Sequence, residues 1–264
     1  MSDSVPRGKL SGKVALVTGA SRGIGLAICA RLAADGADVA GFDLAGVEWA
    51  ECEQAVVNNG GRFASVGGDV TKSDDWTHAV EFTIQHLGRL DILVNNAGIA
   101  GNITAIVEYP EDVFDRVMAV NVRGVFLGTK IAGQAIVAGG AGGSIINIAS
   151  VSGLGGSRFT CAYTASKHAV LGLTKVAALE FAREGVRVNA VCPALTATEM
   201  VFNLEKTLSP GDSEVVRKRL AGSIPMGRYG EPAEIAAAVS FLASADASFM
   251  TGSAMLLDGG LQAG

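Results

Sequence analysis

Tyr163 and Lys167 stand four residues apart in Cys161 to Arg183, a run with helical periodicity, so both side chains project from one face. An ammonium beside a phenol stabilises the phenolate and lowers the tyrosine pKa from about 10 toward neutrality, which suits Tyr163 to acid/base work. Ser150 lies 13 residues earlier, at the carboxyl end of an apolar run. Asn121 interrupts the apolar helical pattern of Ala119-Val120-Asn121-Val122. A second constellation sits near the amino end, where Val14-Ala15-Leu16-Val17-Thr18-Gly19-Ala20-Ser21-Arg22-Gly23-Ile24-Gly25 places glycines at 19, 23 and 25. Glycines between a strand and a helix let backbone N–H groups and the positive helix end approach a pyrophosphate.

Asp43 follows Gly19 by 24 residues and is succeeded by Leu44-Ala45-Gly46. A carboxylate there accepts from the adenosine ribose hydroxyls and repels a 2′-phosphate, which favours NAD over NADP; Arg22 is a countersignal, because a guanidinium could welcome that phosphate. Asp69-Val70 could hold the adenine edge or simply cap the next helix. Asn95-Asn96-Ala97-Gly98 puts a polar end on a strongly apolar strand, where it could brace the neighbouring strand and shape the pocket.

These residues need a scaffold, and the pattern supplies one. Short apolar runs (Val14 to Thr18, Ala37 to Phe42, Arg62 to Val66, Ile92 to Val94, Ser144 to Ala149, Val186 to Val191, Ser253 to Leu257) alternate with helical spacing. The helices are expected from Gly23 to the Asp35-Gly36 stop, over Val47 to Val57, and from a cap at Thr71 or Ser73 to Leu87. Others follow over Val113 to Val137 with a break near Asn121, Cys161 to Arg183, and Glu231 to Leu242. Strands alternating with helices imply a parallel sheet covered on both faces, an α/β doubly wound fold in a single domain. The stretch from Pro193 to Pro225 is irregular and polar, and reads as a lid over about 194–225.

The 264 residues are 49% hydrophobic and 18% charged, which excludes a disordered chain. A net charge of −5 offers no basic surplus for nucleic acid. No apolar run spans a membrane, and Met1 to Lys13 lacks a signal-peptide core, so the expectation is a soluble cytoplasmic protein. Cys29, Cys52, Cys161 and Cys192 lack metal spacing and read as buried free thiols; His78, His86 and His168 read as surface or packing residues, and no metal site is expected.

The chain resembles the classical short-chain dehydrogenase/reductase family from Gly12 to Gly260, matching Thr18-Gly19-xxx-Gly23-Ile24-Gly25, Asn95-Asn96-Ala97-Gly98, Asn121, Ser150 and Tyr163-xxx-Lys167 in order and spacing. The resemblance implies a Rossmann-type domain with a seven-stranded parallel sheet and a catalytic tetrad. In it Tyr163 exchanges a proton with the substrate oxygen, and Lys167 lowers the Tyr163 pKa and binds the nicotinamide ribose. Ser150 donates to the substrate oxygen, and Asn121 holds a relay water. The cofactor contacts it implies are Gly19, Ser21, Arg22, Gly23, Ile24, Gly25, Asp43, Leu44, Asp69, Val70, Asn96, Ala97, Gly98, Tyr163, Lys167, Pro193, Thr196 and Thr198. One departure is Pro193-Ala194-Leu195-Thr196, where the family usually has Pro-Gly followed one residue later by Ile or Val.

The expected activity is NAD-dependent interconversion of a secondary alcohol and a ketone. The pocket would be lined by 101–103, 152–159 and 195–204, where Leu154, Phe159, Leu195, Met200, Val201 and Phe202 outnumber the one charge, Arg158, and this favours a neutral aryl or alicyclic substrate. Two alternatives stand beside it: a 3-oxoacyl-carrier-protein reductase, disfavoured by Asp43 and the acidic charge, and an NAD-binding regulator without turnover, disfavoured by the intact tetrad. Family members are usually dimers or tetramers. Gly124, Gly128, Gly133, Ala165, Ala169 and Gly172 would permit close helix packing between subunits, with a homotetramer favoured.

Overall fold

The computed structural model describes residues 8–209 and 211–263; residues 1–7, 210 and 264, which the sequence reading places in the domain and (for 210) in the lid, lie outside it. Seven strands, β1 (Val14–Thr18), β2 (Asp38–Asp43), β3 (Phe63–Gly67), β4 (Ile92–Asn95), β5 (Gly143–Ile148), β6 (Val186–Pro193) and β7 (Ala254–Leu257), form one sheet. Their order is β3-β2-β1-β4-β5-β6-β7 and every pairing is parallel, the doubly wound Rossmann arrangement.

Both faces of the sheet are covered, which is why its strands read as continuous apolar runs rather than alternating ones. Ala15, Val17, Val39, Val94 and Ile146 point to one side and pack against Ile28 and Leu32 of α1 (Gly23–Ala34), Val56 of α2 (Ala50–Asn58) and Val239 of α9 (Pro232–Ala243). Leu16, Phe42, Leu93 and Ile145 point to the other side, against Trp76 of α3 (Ser73–Leu87), Leu127 of α5 (Gly124–Ala138) and Ala178 of α6 (Cys161–Phe181). Because the strands are parallel, Thr18, Asp43, Asn95, Ile148 and Pro193 all end at one edge. At the opposite end of the chain, α9 starts with Pro232 in its first turn and a capping box between Glu231 and Glu234.

Three features depart from the sequence reading. The helix expected from Val47 starts at Ala50, because the Trp49 ring packs beside Gly41, where a Cβ would lie 2.6 Å from it. The stretch after Pro193 is not irregular; it contains α7 (Glu199–Leu208) and α8 (Ser213–Gly222). The glycines of α5 do not face outward: a Cβ on Gly128 would lie 2.4 Å from Asn95 Oδ1, and one on Gly133 2.9 Å from Phe181. They serve close packing within the subunit, and only the α6 positions Ala165 and Gly172 are exposed. The expected break at Asn121 is present. Helix α4 (Glu111–Met118) passes into α5 through a π turn over Ala119–Arg123. The cysteines are free, with Cys29, Cys52 and Cys192 buried but Cys161 only partly so.

Candidate active site

The glycine turn is shaped as a cradle. Gly19 and Gly23 have φ of 61° and 57°, and a Cβ on Gly25 would lie 2.0 Å from the Gly19 carbonyl oxygen. Asn96 Nδ2 donates to the carbonyls of Thr18 (2.9 Å) and Gly19 (3.0 Å), while the Asn96 and Ala97 N–H groups donate to Thr18 Oγ1. Asn96 is therefore a brace for the turn. No side chain caps the α1 N-terminus and no acidic residue lies in its first turn, so its positive end is available to an anion. The two positive-φ glycines and the uncapped helix end fit a dinucleotide pyrophosphate, and a side chain at Gly25 would collide with the Gly19 carbonyl and Asn96 and break the turn.

Asp43 closes the adenosine side. Its Oδ2 accepts from the Ser21 N–H (3.1 Å) and hydroxyl (2.8 Å), and its Oδ1 from the Leu44 N–H (2.8 Å). Arg22 does not turn toward Asp43; it pairs with Glu199 on α7 at 2.7 Å. Asp69 Oδ1 accepts from the Thr71 N–H and the Asp69 N–H donates to Asp75, so the carboxylate closes the turn before α3 and does not cap that helix, whose N-cap is Lys72. The Val70 carbonyl accepts from the Trp76 indole.

One helical turn separates Tyr163 from Lys167 on α6. Lys167 is buried, its Nζ donates to the Ile148 carbonyl at 2.7 Å, and it lies 5.4 Å from the Tyr163 ring centre. Burial brings the Lys167 ammonium down to about 8, against a small upward pull from Cys192. The Tyr163 phenol behaves differently from the sequence expectation. Burial pushes it up, and the neighbouring Ser150 hydroxyl, rather than the ammonium, draws it down. The Lys167 ammonium is instead directed to the Ile148 carbonyl. Ser150 Oγ accepts from the Ser152 N–H at 3.1 Å and faces the Pro193 carbonyl at 3.5 Å.

Asn121, 1% exposed, accepts from the Ile99 N–H (2.8 Å) and donates to the Ile99 carbonyl (2.9 Å) and Ser166 Oγ (3.0 Å). Ser166 in turn donates to the Tyr163 carbonyl. Its amide thus ties the loop after β4 to α6. Gly98 completes the group, since a Cβ there would lie 3.3 Å from Asn121 Oδ1 and 3.7 Å from Lys167 Nζ. Cys192 behind Lys167 and Ser166 between the pair were missed by sequence reasoning. The Cys192 thiol is pushed up to about 11 by burial, while the Ser150 main chain and Lys167 draw it down.

The lid closes the remaining side. Thr196 pairs in a parallel bridge with Gly230, and Thr198 Oγ1 donates to the Thr196 carbonyl. Glu205 of α7 is fully buried; Arg217 of α8 forks onto it at 3.0 and 2.8 Å, and the Tyr229 hydroxyl donates at 2.9 Å. Arg217 holds the Glu205 carboxyl below the usual range, and Tyr229 is pushed up to about 12 by burial and that carboxylate. Leu154, Phe159 and Met200 are part-exposed apolar groups, whereas Val201, expected in the pocket, packs with Ile224 and Tyr229 inside the lid. Phe159 has φ of 66°, and its carbonyl accepts from the Thr104 N–H at 3.0 Å, joining two loops of the pocket. Among the described residues no cluster of His, Cys, Asp or Glu could hold a metal, and no helix is long and apolar enough to cross a membrane.

A parallel Rossmann sheet whose carboxyl edge gathers a glycine cradle, Ser150, Tyr163 and Lys167 defines an oxidoreductase. The chain belongs to the short-chain dehydrogenase/reductase family: the family model described as enoyl-(acyl carrier protein) reductase matches residues 19–262. It is 40% identical to 3beta-hydroxysteroid dehydrogenase 2 of Eggerthella lenta, with 100% of each chain covered. It is 37% identical to cyclohexanol dehydrogenase of an Acinetobacter species, over 97% of this chain and 98% of that one. Carveol dehydrogenase from Mycobacterium avium, solved in complex with NAD, superposes with a TM-score of 0.91 at 29% identity, covering 97% of this chain and 100% of that one.

Proposed function

We propose that this protein is an NAD-dependent dehydrogenase that interconverts secondary alcohols and ketones, acting on neutral aryl or alicyclic substrates. The observation that carries the reading is the meeting of Ser150, Tyr163 and Lys167 at the edge that also holds the glycine cradle. Asp43 favours NAD, because Ser21 and Leu44 fix its charge where a 2′-phosphate would sit. The bound nicotinamide supplies the hydride acceptor or donor. Tyr163 takes the hydroxyl proton of an alcohol, or returns it to a ketone oxygen. Ser150 donates to that oxygen as charge develops, and the Lys167 ammonium favours the phenolate once it is turned toward it. Asn121 holds the loop and the proton exit in register.

The substrate class rests on the apolar lip of Leu154, Phe159 and Met200, and the cyclohexanol and carveol dehydrogenases are relatives whose names suit it. The exposed Phe114, Phe126, Val176 and Leu179 on α4, α5 and α6 suit a homotetramer, and the cytoplasm is the proposed location. The test is a panel of alcohols with NAD⁺ and NADP⁺. Cyclic neutral alcohols with NAD⁺ should be best; a preference for carboxylated or carrier-bound ketones, or for NADP⁺, would overturn the reading. Tyr163→Phe should lower turnover about 10³-fold while NADH still binds. Full activity in that variant would exclude the proton-transfer role.

A further inference from the structure

We infer that Glu199 is a positioning residue for cofactor retention: with Arg22 it forms a releasable clasp across the dinucleotide crevice, while Glu205 anchors the other end of the same helix. The topology makes the pair a bridge. Arg22 follows β1 and Glu199 follows β6, and in the sheet β4 and β5 lie between those strands. Three inter-strand steps are about 14 Å, so the contact at 2.7 Å closes over the ends of β4 and β5, where Gly98 and Ser150 stand. The neighbouring backbone supports the closure, since a Cβ on Gly23 would lie 3.8 Å from the Thr198 methyl carbon. A dinucleotide cradled by the glycine turn and reaching Ser150 passes beneath this bridge.

Burial decides which end opens. The Arg22 and Glu199 side chains are 78% and 62% exposed, so water and salt compete for both. Six residues along the helix, Glu205 is fully buried and held by the Arg217 fork and the Tyr229 hydroxyl. Tyr229 is joined to the cofactor side through Gly230, whose N–H donates to the Leu195 carbonyl and whose carbonyl accepts from the Ala197 N–H. Releasing the exposed end leaves the anchored end in place, so α7 swings from Glu205 and uncovers the crevice at Glu199. Arg22 then has two acceptors in turn, Glu199 when the helix is down and the pyrophosphate or water when it lifts.

The inference rests on the dinucleotide reading above, and the experiment separates the two. NADH release is followed by stopped-flow fluorescence for the full-length protein at ~20 mM and ~500 mM KCl. The expected results are faster release at high salt in the wild type and, in Glu199→Gln, release about two- to fivefold faster at low salt with no salt dependence. Glu214→Gln, which removes another exposed carboxylate of the lid (paired with Lys218), should match the wild type. Release that is insensitive to salt and unchanged in Glu199→Gln would overturn the clasp alone. Equal acceleration by Glu214→Gln would also overturn it, by assigning the effect to net charge. Failure of the wild type to bind NADH at all would sink the dinucleotide reading and the clasp with it.

Discussion

Beneath the catalytic edge, Leu16, Leu93 and Ile145 have no exposed surface, and apolar helices cover them from one side as other residues are covered from the opposite side. In the lid, α7 and α8 bury only Val201, Glu205 and Val216, and a small apolar cluster of Val201, Leu220, Ile224 and Tyr229 is joined by the ion pairs Arg217–Glu205 and Arg22–Glu199. The sheet is held by non-directional burial that salt and moderate pH leave intact. The lid has a much smaller apolar cluster and leans on ion pairs whose strength depends on both. Such a division gives a rigid platform for the reacting groups and a cover that can part from it at low cost, as ligand-gating elements require.

That contrast can be broken in order of effect. Gly25→Val strikes the platform: its side chain would meet the Gly19 carbonyl, and NADH binding should weaken about 100-fold in a fluorescence titration, with trypsin cutting of the lid unchanged. Unaltered NADH affinity would show that the cradle tolerates a side chain and that the platform is not rigid there. Glu205→Gln strikes the cover: cutting by trypsin within residues 199–222 should accelerate about tenfold, while the melting temperature moves little. The sign with pH follows from its lowered carboxyl. The anchor is fully present above the ordinary carboxylate range near 4.5 and is lost as pH falls below it. Wild-type cutting should therefore rise on acidification, and Glu205→Gln should lose that dependence; a parallel fall in global stability would mean lid and sheet unfold as one. The smallest effect is that of salt on the wild type, where ~0.5 M KCl should speed lid cutting about twofold without lowering the melting temperature.

The same contrast explains what was legible in the sequence. Continuous apolar strands, the glycine turn and the Tyr163–Lys167 spacing announce themselves through composition and period, because burial and close backbone approach demand particular residue types. The polar Asn121 in an apolar pattern marked the break that the structure shows as a π turn. Helix α7 escaped because its apolar Met200, Val201 and Phe202 read as pocket lining; α8 escaped because Ser213-Glu214-Val215-Val216-Arg217-Lys218 gives no clear apolar stripe, and its partner charge lies 12 residues back at Glu205. Contacts between distant charges leave no periodic trace. The Tyr163 environment was half legible: spacing put Lys167 on the right face, but where its ammonium points depends on the Ile148 carbonyl, a main-chain atom the pattern does not display.

The wide turn at Ala119–Arg123 amounts to one surplus residue in an otherwise continuous rod. Removing one residue from it would restore ordinary geometry and leave α4 and α5 close to their present phase, because the wide turn already absorbs the surplus residue. Val113 and Val117 would stay against Ala162, whereas Asn121, inside the turn, would leave Ile99. A one-residue deletion there should consequently leave the helices packed and strike the site alone, through the Asn121 bonds to Ile99 and Ser166.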